Sequence, residues 1–248
     1  MNIGLVLQAR TGSTRLPEKM LMPFYCKKTI LDVLLQRIIA EKLGLPIVLA
    51  TTTNERDIKI YEIAERNSVF CFRGSETDVL KRFIDTAQEY KFDAVIRICA
   101  DNPFLSMKYL RKLLEYIKDN KSDYVSFQTS DGTPSIKTHF GFWAEYITVD
   151  ALRRIQLKTD DSLFHEHVTN YAYTNRDLFC CNFLPIEDFI ERSNIRLTVD
   201  TADDFQNASK LYETLLNQNL SIEPQNIIPL IDSEMKLNMS KQIILNSK

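Results

Sequence analysis

Four residues near the start of the chain, Arg10, Ser13, Arg15 and Lys19, are spaced for one kind of chemistry. Three cations and a hydroxyl, on a loop whose turns are set by Gly12 and Pro17, form a cradle for a polyanion. The simplest such ligand is a nucleotide triphosphate. Two carboxylates elsewhere complete the pattern. Asp101 follows an apolar strand in a turn stiffened by Pro103, and Asp200 follows the strand-like stretch Ile195 to Val199. Carboxylates at strand ends suit Mg²⁺, a hard ion that takes oxygen ligands. Either aspartate alone reads as ordinary turn or capping chemistry, and Thr201 can cap the helix after Asp200 unaided. Taken with the basic loop, the pair describes a metal–triphosphate site.

Other constellations carry less. The first loop lacks G-x-x-x-x-G-K-[ST] and G-x-G-x-x-G, so it is neither a P-loop nor a nicotinamide or flavin fingerprint. Ser75 and Asp78 read as a capping box, which leaves Arg73 and Arg82 to border a base or a phosphate. His165-Glu166-His167 lacks the H-E-x-x-H spacing, and with His139 the only other histidine a zinc site would also need carboxylate or Cys ligands that the sequence does not place. Glu166 and His167 are expected to contact an acceptor or an interface. Cys180-Cys181 reads as core.

The elements that must position these groups alternate. Ile3 to Leu7 suits a buried parallel strand; helical spacing follows over Thr29 to Leu43, then a strand at Pro46 to Ala50. A helix capped by Asn54, a strand at Val69 to Phe72, a helix opened by Ser75 and Thr77, and a strand at Asp93 to Ile98 continue the rhythm. A helix from Met107 to Ile117 and a strand at Tyr124 to Phe127 come next. This pattern predicts an α/β fold, a mostly parallel mixed sheet with helices on both faces. Loops at the carboxyl ends of its strands are where ligands bind.

The rhythm breaks at Gln128 to Phe142, where Gly132, Pro134 and Gly141 punctuate a polar stretch. We expect a small protruding arm at about 128–146, its aromatics Phe140, Phe142, Trp143 and Tyr146 serving a homodimer interface. Helices are expected over Val149 to Gln156, Ser162 to Thr174, after Asp200 and at Pro224 to Ile231, with strands near Phe179 to Leu184 and Ile195 to Val199. One domain over 1–235 and a loosely held tail over 236–248 account for the 248 residues. A formal net charge of -2 gives no field toward nucleic acid or membranes, and no apolar run approaches the ~20 residues that span a bilayer. Five cysteines without metal spacing read as reduced thiols of a cytoplasmic protein.

The stretch QARTGSTRLPEK, from Gln8 to Lys19, resembles the opening of the spore-coat polysaccharide cytidylyltransferase-like family. That family is related to the enzymes that make CMP-activated sugar acids such as CMP-Kdo and CMP-sialate. The resemblance runs on through ATTTNERD, FRGSETDVLKRF, RICADNPFLS, EHVT and RLTVDTADDF, in colinear order over roughly the first five-sixths of the chain. It implies a Rossmann-like nucleotidyltransferase fold and transfer of CMP from CTP with release of pyrophosphate. Gln8, Ala9, Arg10, Gly12, Ser13, Arg15 and Lys19 then match the nucleotide loop, and Asp101 and Asp200 the Mg²⁺ ligands. Arg15 and Lys19 act with them in catalysis, Ser75, Asp78 and Arg82 match a nucleotide-side motif, and Glu145, Glu166 and His167 fall to the acceptor.

Three residues depart from the family pattern. Glu18 and Ala100 replace glycines, the second a mild change where φ is below zero, and Trp143 replaces an acidic residue while Glu145 keeps the second acid. The expected activity is a CTP-dependent nucleotidyltransferase acting on a small anionic acceptor: a sugar acid, sugar phosphate or phosphonate. The rivals are an enzyme using GTP, UTP or dTTP on the same scaffold, and a nucleotide-binding subunit without turnover.

Overall fold

Short branched, apolar segments supply a sheet whose first four strands all end at one edge. The computed structural model describes residues 1–233. Strands β1 (Ile3–Gln8), β2 (Ile47–Thr52), β3 (Phe70–Gly74) and β4 (Ala94–Cys99) run parallel, with β1 between β2 and β4. Beyond β4 the direction reverses. β6 (Glu145–Thr148) pairs antiparallel with β4 and with β5 (Tyr124–Gln128), and β7 (Cys181–Pro185) lies parallel to β5. The order is β3-β2-β1-β4-β6-β5-β7.

The period of two along each strand sorts side chains into two cores. Leu5, Leu7, Leu49, Ile96 and Ile98 face helices α1 (Ile30–Ala40), α2 (Ile58–Arg66), α4 (Met107–Asp119), α8 (Ala202–Asn217) and α9 (Pro224–Ser233). Val6, Val48, Val95, Tyr124 and Ile147 face α3 (Val79–Glu89), α5 (Val149–Lys158) and the short α7 (Asn170–Thr174), which follows α6 (Ser162–Glu166). Thr29 with Asp32, and Thr201 with Asp204, form full capping boxes that fix where α1 and α8 begin. None of the helices described is long and apolar enough to cross a membrane.

Several expectations need correction. The 128–146 segment does not stand away as an arm. Its turn closes through a bridge between Gln128 and Pro134, and Phe140, Phe142, Trp143 and Tyr146 are buried. Trp143 packs on Tyr109, Phe127, Phe140 and Phe142, so these rings belong to the core. Ile195 to Val199 is not a strand of the sheet. It is an extended segment whose amides donate to His139 O and Asp101 O, across the strand ends. The helix expected over Ser162 to Thr174 breaks in two at His167–Thr169. α3 starts at Val79 under Asp78 rather than at Ser75, and Cys180 is exposed at the sheet edge rather than core. The tail over 236–248 lies outside the described residues.

Gly4 marks a close approach. A Cβ there would lie 2.1 Å from the buried Phe92 ring, so the β1 backbone needs a residue without one. Gly4→Ala is expected to cost about 1–3 kcal/mol in urea unfolding. Adding Phe92→Leu should restore part of the loss if the ring is the obstacle; an additive double mutant would locate the strain elsewhere.

Candidate active site

The basic loop after β1 is anchored from below. Asp57, only 1 % exposed, accepts from Thr11 N at 2.8 Å and Thr11 Oγ1 at 2.5 Å, and also from the Thr52 hydroxyl. The loop then folds back on that fixed residue, since Ser13 N and Glu18 N both donate to Thr11 O. Glu18 has φ +56, the left-handed conformation that favours glycine, so its side chain is carried at a backbone cost and points into solvent. Ala100 is not among the residues with positive φ, so its methyl replaces a hydrogen without strain.

Two independent turns bring the acids together. The turn after β4 is held by Asn102 N donating to Cys99 O, and by Arg37, which donates to Pro103 O, Leu105 O and Ile222 O at 2.8–3.0 Å. Thr198 Oγ1 donates to Asn102 Oδ1 at 2.9 Å, which ties this turn to the segment bearing Asp200. Gly141, with φ +74, lets the chain pass where a Cβ would meet Asn102, Leu197 and Thr198 at 3.3 Å. Asp200 is fixed from behind: Arg196 grips Asp204 at 2.8 and 3.1 Å, and Asp204 accepts from the amides of Asp200 and Thr201.

Lys19 stands between the acids. Its Nζ donates to Val199 O at 2.6 Å and lies 3.3 Å from Asp101 Oδ2 and 3.5 Å from Asp200 Oδ1. Arg15 Nη2, on an exposed side chain, reaches Asp200 Oδ1 at 2.8 Å. Burial and the Asp101 charge raise the Asp200 carboxyl above its ordinary range, although Lys19, Arg15 and Arg196 pull the other way. His139 Nδ1 lies 3.8 Å from Asp200 Oδ2; burial and Arg196 push that imidazole down to about 4, so it is neutral at pH 7.

These groups share a cavity of about 420 Å³. Its lining includes the expected Gln8, Ala9, Arg10, Gly12, Ser13, Arg15, Lys19, Asp101 and Asp200, together with Glu145, Glu166 and His167. Glu166, exposed at the end of α6, pairs with Arg10 at 2.9 Å across the mouth. His167 is half-buried in the break before α7, and burial lowers its pKa. Trp143 lines the same wall where an acidic residue was expected, with Tyr109 and Phe127 behind it.

Ser75, Asp78 and Arg82 do not line the cavity. Ser75 and Asp78 build the start of α3: Asp78 N donates to Ser75 Oγ, and Asp78 accepts from Lys81 N. Arg82 is fully buried and donates through Nη1 to Ser75 O at 2.5 Å, while its Nε and Nη2 have no partner. Burial and the nearby Arg10 charge push it down to about 10. Asp78 also meets His165 Nδ1 at 2.8 Å, and His165 Nε2 lies 2.9 Å from Thr159 O, so α6 is fastened to α3.

Sequence reasoning passed over Arg97. It lies in the cavity wall, opposite Glu145 in the β4–β6 ladder, and donates to that carboxylate. The signal was present: Ala94-Val95-Ile96-Arg97-Ile98-Cys99 is a buried strand with one charge inside it. Such a charge needs a partner or a task. Among the described residues no cluster of three or more His, Cys, Asp or Glu stands ready for a metal.

A family model described as cytidylyltransferase matches residues 4–227. The chain is 36% identical over 239 residues to an uncharacterised protein of Methanocaldococcus jannaschii, covering 96% of this chain and 93% of that one. It is 30% identical to the spore coat polysaccharide biosynthesis protein SpsF of Bacillus subtilis, over 88% of this chain and 95% of its relative. Among solved structures, a cytidylyltransferase from Leptospira borgpetersenii superposes with a TM-score of 0.82 at 28% identity, covering 97% of this chain and 98% of that one. A CMP:2-keto-3-deoxy-manno-octonic acid synthetase complexed with CTP superposes with a TM-score of 0.65 at 14% identity, over 89% and 100%, a likeness of fold.

The α6–α3 fastening has a pH signature. Burial alone would lower the His165 pKa, but the Thr159 carbonyl and Asp78 outweigh it and raise the value. A raised histidine contributes stability fully below its unfolded value of about 6.5, and loses it as pH rises through the folded value. The melting temperature of His165→Gln relative to wild type should therefore show its largest deficit below pH 6 and converge toward wild type by pH 8. A deficit independent of pH would assign His165 to packing alone.

Proposed function

The chain belongs to the cytidylyltransferase family, and from that premise we propose that it transfers CMP from CTP to a small anionic acceptor. The reaction serves the synthesis of a surface polysaccharide or glycoconjugate precursor, in line with the SpsF relative. The observation that carries the reading is the cluster of Lys19, Arg15, Asp101 and Asp200 in one cavity. A binding subunit without turnover has no need of two carboxylates gathered on one buried lysine, where burial first and the Asp101 charge second raise Asp200. The five free thiols support a cytoplasmic setting.

In this reading the triphosphate lies along the loop from Gly12 to Lys19. Backbone N–H groups of the loop and the Arg15 guanidinium receive the β- and γ-phosphates. An acceptor oxygen bonds to the α-phosphorus as the bond to the bridging oxygen breaks in line, and pyrophosphate departs with that electron pair. Lys19 and Arg15 stabilise the charge that grows on the leaving group. Asp101 and Asp200 would hold Mg²⁺, which supplies charge neutralisation at the reacting phosphates. Their hard oxygen atoms and mutual repulsion fit a divalent cation. An acceptor oxygen that is already ionised needs no base.

Titration with each of the four ribonucleoside triphosphates in Mg²⁺ tests the donor. CTP at a hundred times its Kd should stabilise the protein by about 2.7 kcal/mol, or roughly 5–10 °C in Tm. A larger shift with GTP or UTP would assign another nucleotide.

Asp101→Asn and Asp200→Asn should each lower CTP-dependent pyrophosphate release about a thousandfold, or ~4 kcal/mol of transition-state stabilisation. Asp200→Asn should also raise the melting temperature of the free protein, because ionised Asp200 is disfavoured where it lies. Lys19→Ala should lose turnover while the Mn²⁺ affinity of the two aspartates holds. Near-normal turnover in either Asn variant would overturn the assignment of the metal ligands.

A further inference from the structure

A buried ring nitrogen behind Asp200 has no partner. His139 is 1% exposed, and its Nδ1 makes no hydrogen bond. Such a group costs stability, so its retention asks for a task. It lies 3.8 Å from Asp200 Oδ2, about 0.9 Å beyond an ordinary N–H···O bond. The two Asp200 oxygens are unequally served. Oδ1 meets Arg15 Nη2 at 2.8 Å and Lys19 Nζ at 3.5 Å. Oδ2 is approached from farther off, by Arg196 Nη2 at 3.7 Å and by His139. Arg196 is already committed, because its Nε and Nη2 donate to the two oxygens of Asp204. His139 is therefore the donor in reserve for Oδ2. A carboxylate oxygen opposite the ring favours the proton on Nδ1, since a bare nitrogen lone pair there would repel it.

The imidazole is held in place by the segment that bears the acid. His139 O accepts from Leu197 N at 2.8 Å and Thr198 N at 3.2 Å. Gly141, two residues on, passes Asn102, Leu197 and Thr198 with φ +74. Thr138 and Gly141 line the cavity and His139 does not, so the ring acts from behind the carboxylate. The ring is fixed, whereas the Asp200 side chain can turn about its own torsions.

We infer that His139 is a positioning residue for Asp200. As Oδ1 turns from Arg15 to a divalent ion, Oδ2 closes on His139 Nδ1–H, and that hydrogen bond holds the carboxylate in its ion-binding orientation. The inference rests on the reading of Asp101 and Asp200 as metal ligands. His139 touches neither ion nor substrate. A ligating carboxylate whose second oxygen accepts from a fixed donor is oriented for the ion, and losing such a donor weakens binding by about 10–100-fold.

The Mn²⁺ Kd of the free protein, read by paramagnetic resonance without nucleotide, tests this. His139→Leu should raise it about tenfold or more. His139→Asn removes the same ring but offers an amide N–H near the place of Nδ1, and should stay within about threefold of wild type. The Mg²⁺ concentration that half-saturates pyrophosphate release should move in the same order. A merely structural role would lower Tm in both variants and leave the Mn²⁺ Kd unmoved. Wild-type protein labelled with ¹⁵N-histidine decides the matter if the variants fail to fold. Of its three histidines, His139 should gain a slowly exchanging Nδ1–H resonance as Mg²⁺ is added, with His165→Gln and His167→Gln assigning the other two rings by subtraction. A smaller loss in His139→Leu, an Asn variant as weak as the Leu variant, or a His139 resonance indifferent to Mg²⁺ would overturn the inference alone. Wild-type protein that binds no Mn²⁺ would instead overturn the reading of the two aspartates as metal ligands, and the inference with it.

Discussion

Asp101 and Asp200 crowd the same lysine, and keeping both carboxylates beside that buried cation is the constraint to which the neighbouring structure answers. Arg37 clamps the carbonyls of the first turn, Arg196 and Asp204 brace the second, and a hydroxyl from Thr198 to Asn102 joins them. Lys19 is itself pinned by the Val199 carbonyl, so the cation between the acids cannot relax away from either. Each of these contacts acts on a residue beside the acids. The rigidity of the site comes from its supports, which is what electrostatic preorganisation requires.

The sheet divides the labour. Strands β1 to β4 carry the basic loop and the first acid at their carboxyl ends, and Asp57 ties that loop to β2 through Thr11 and Thr52. The region beyond β4 supplies the opposite wall: Trp143, Glu145 and the residues around the break between α6 and α7. Two ion pairs, Arg10 with Glu166 and His165 with Asp78, fasten α6 to the basic loop and to the start of α3. The cavity is therefore closed by side chains that belong to both halves.

Much of this was legible in the sequence because strand ends, turns and charges are local signals. The parallel strands β1 to β4 follow from apolar runs and caps, and the basic loop from its position after the first run. Asp200 shows how a right location can follow from a wrong element. Ile195 to Val199 has the composition of a strand, but it lies across the strand ends and bonds to His139 and Asp101 instead of a sheet neighbour. The aromatic segment failed for a related reason. Its glycines and proline signal irregular backbone, but irregular backbone can cross the interior when its groups are satisfied, and the four rings are buried, with Trp143 against Tyr109 of α4. Arg82 and Arg97 required distances in three dimensions. One looked like a ligand-facing cation and is buried away from the cavity, while the other looked like part of a strand and faces into it. The cost of Glu18 also needed the backbone, since only its φ shows what glycine would have spared.

The antiparallel junction of β4 with β6 has a mechanical consequence. The ladder there holds Arg97 opposite Glu145 through main-chain pairing that persists whatever side chains face the cavity. The basic loop after β1 and the wall that carries Trp143 and Glu145 are therefore hung on opposite sides of one backbone seam. A side-chain exchange in that wall can change the shape of the cavity while the register beneath the loop stays as it is.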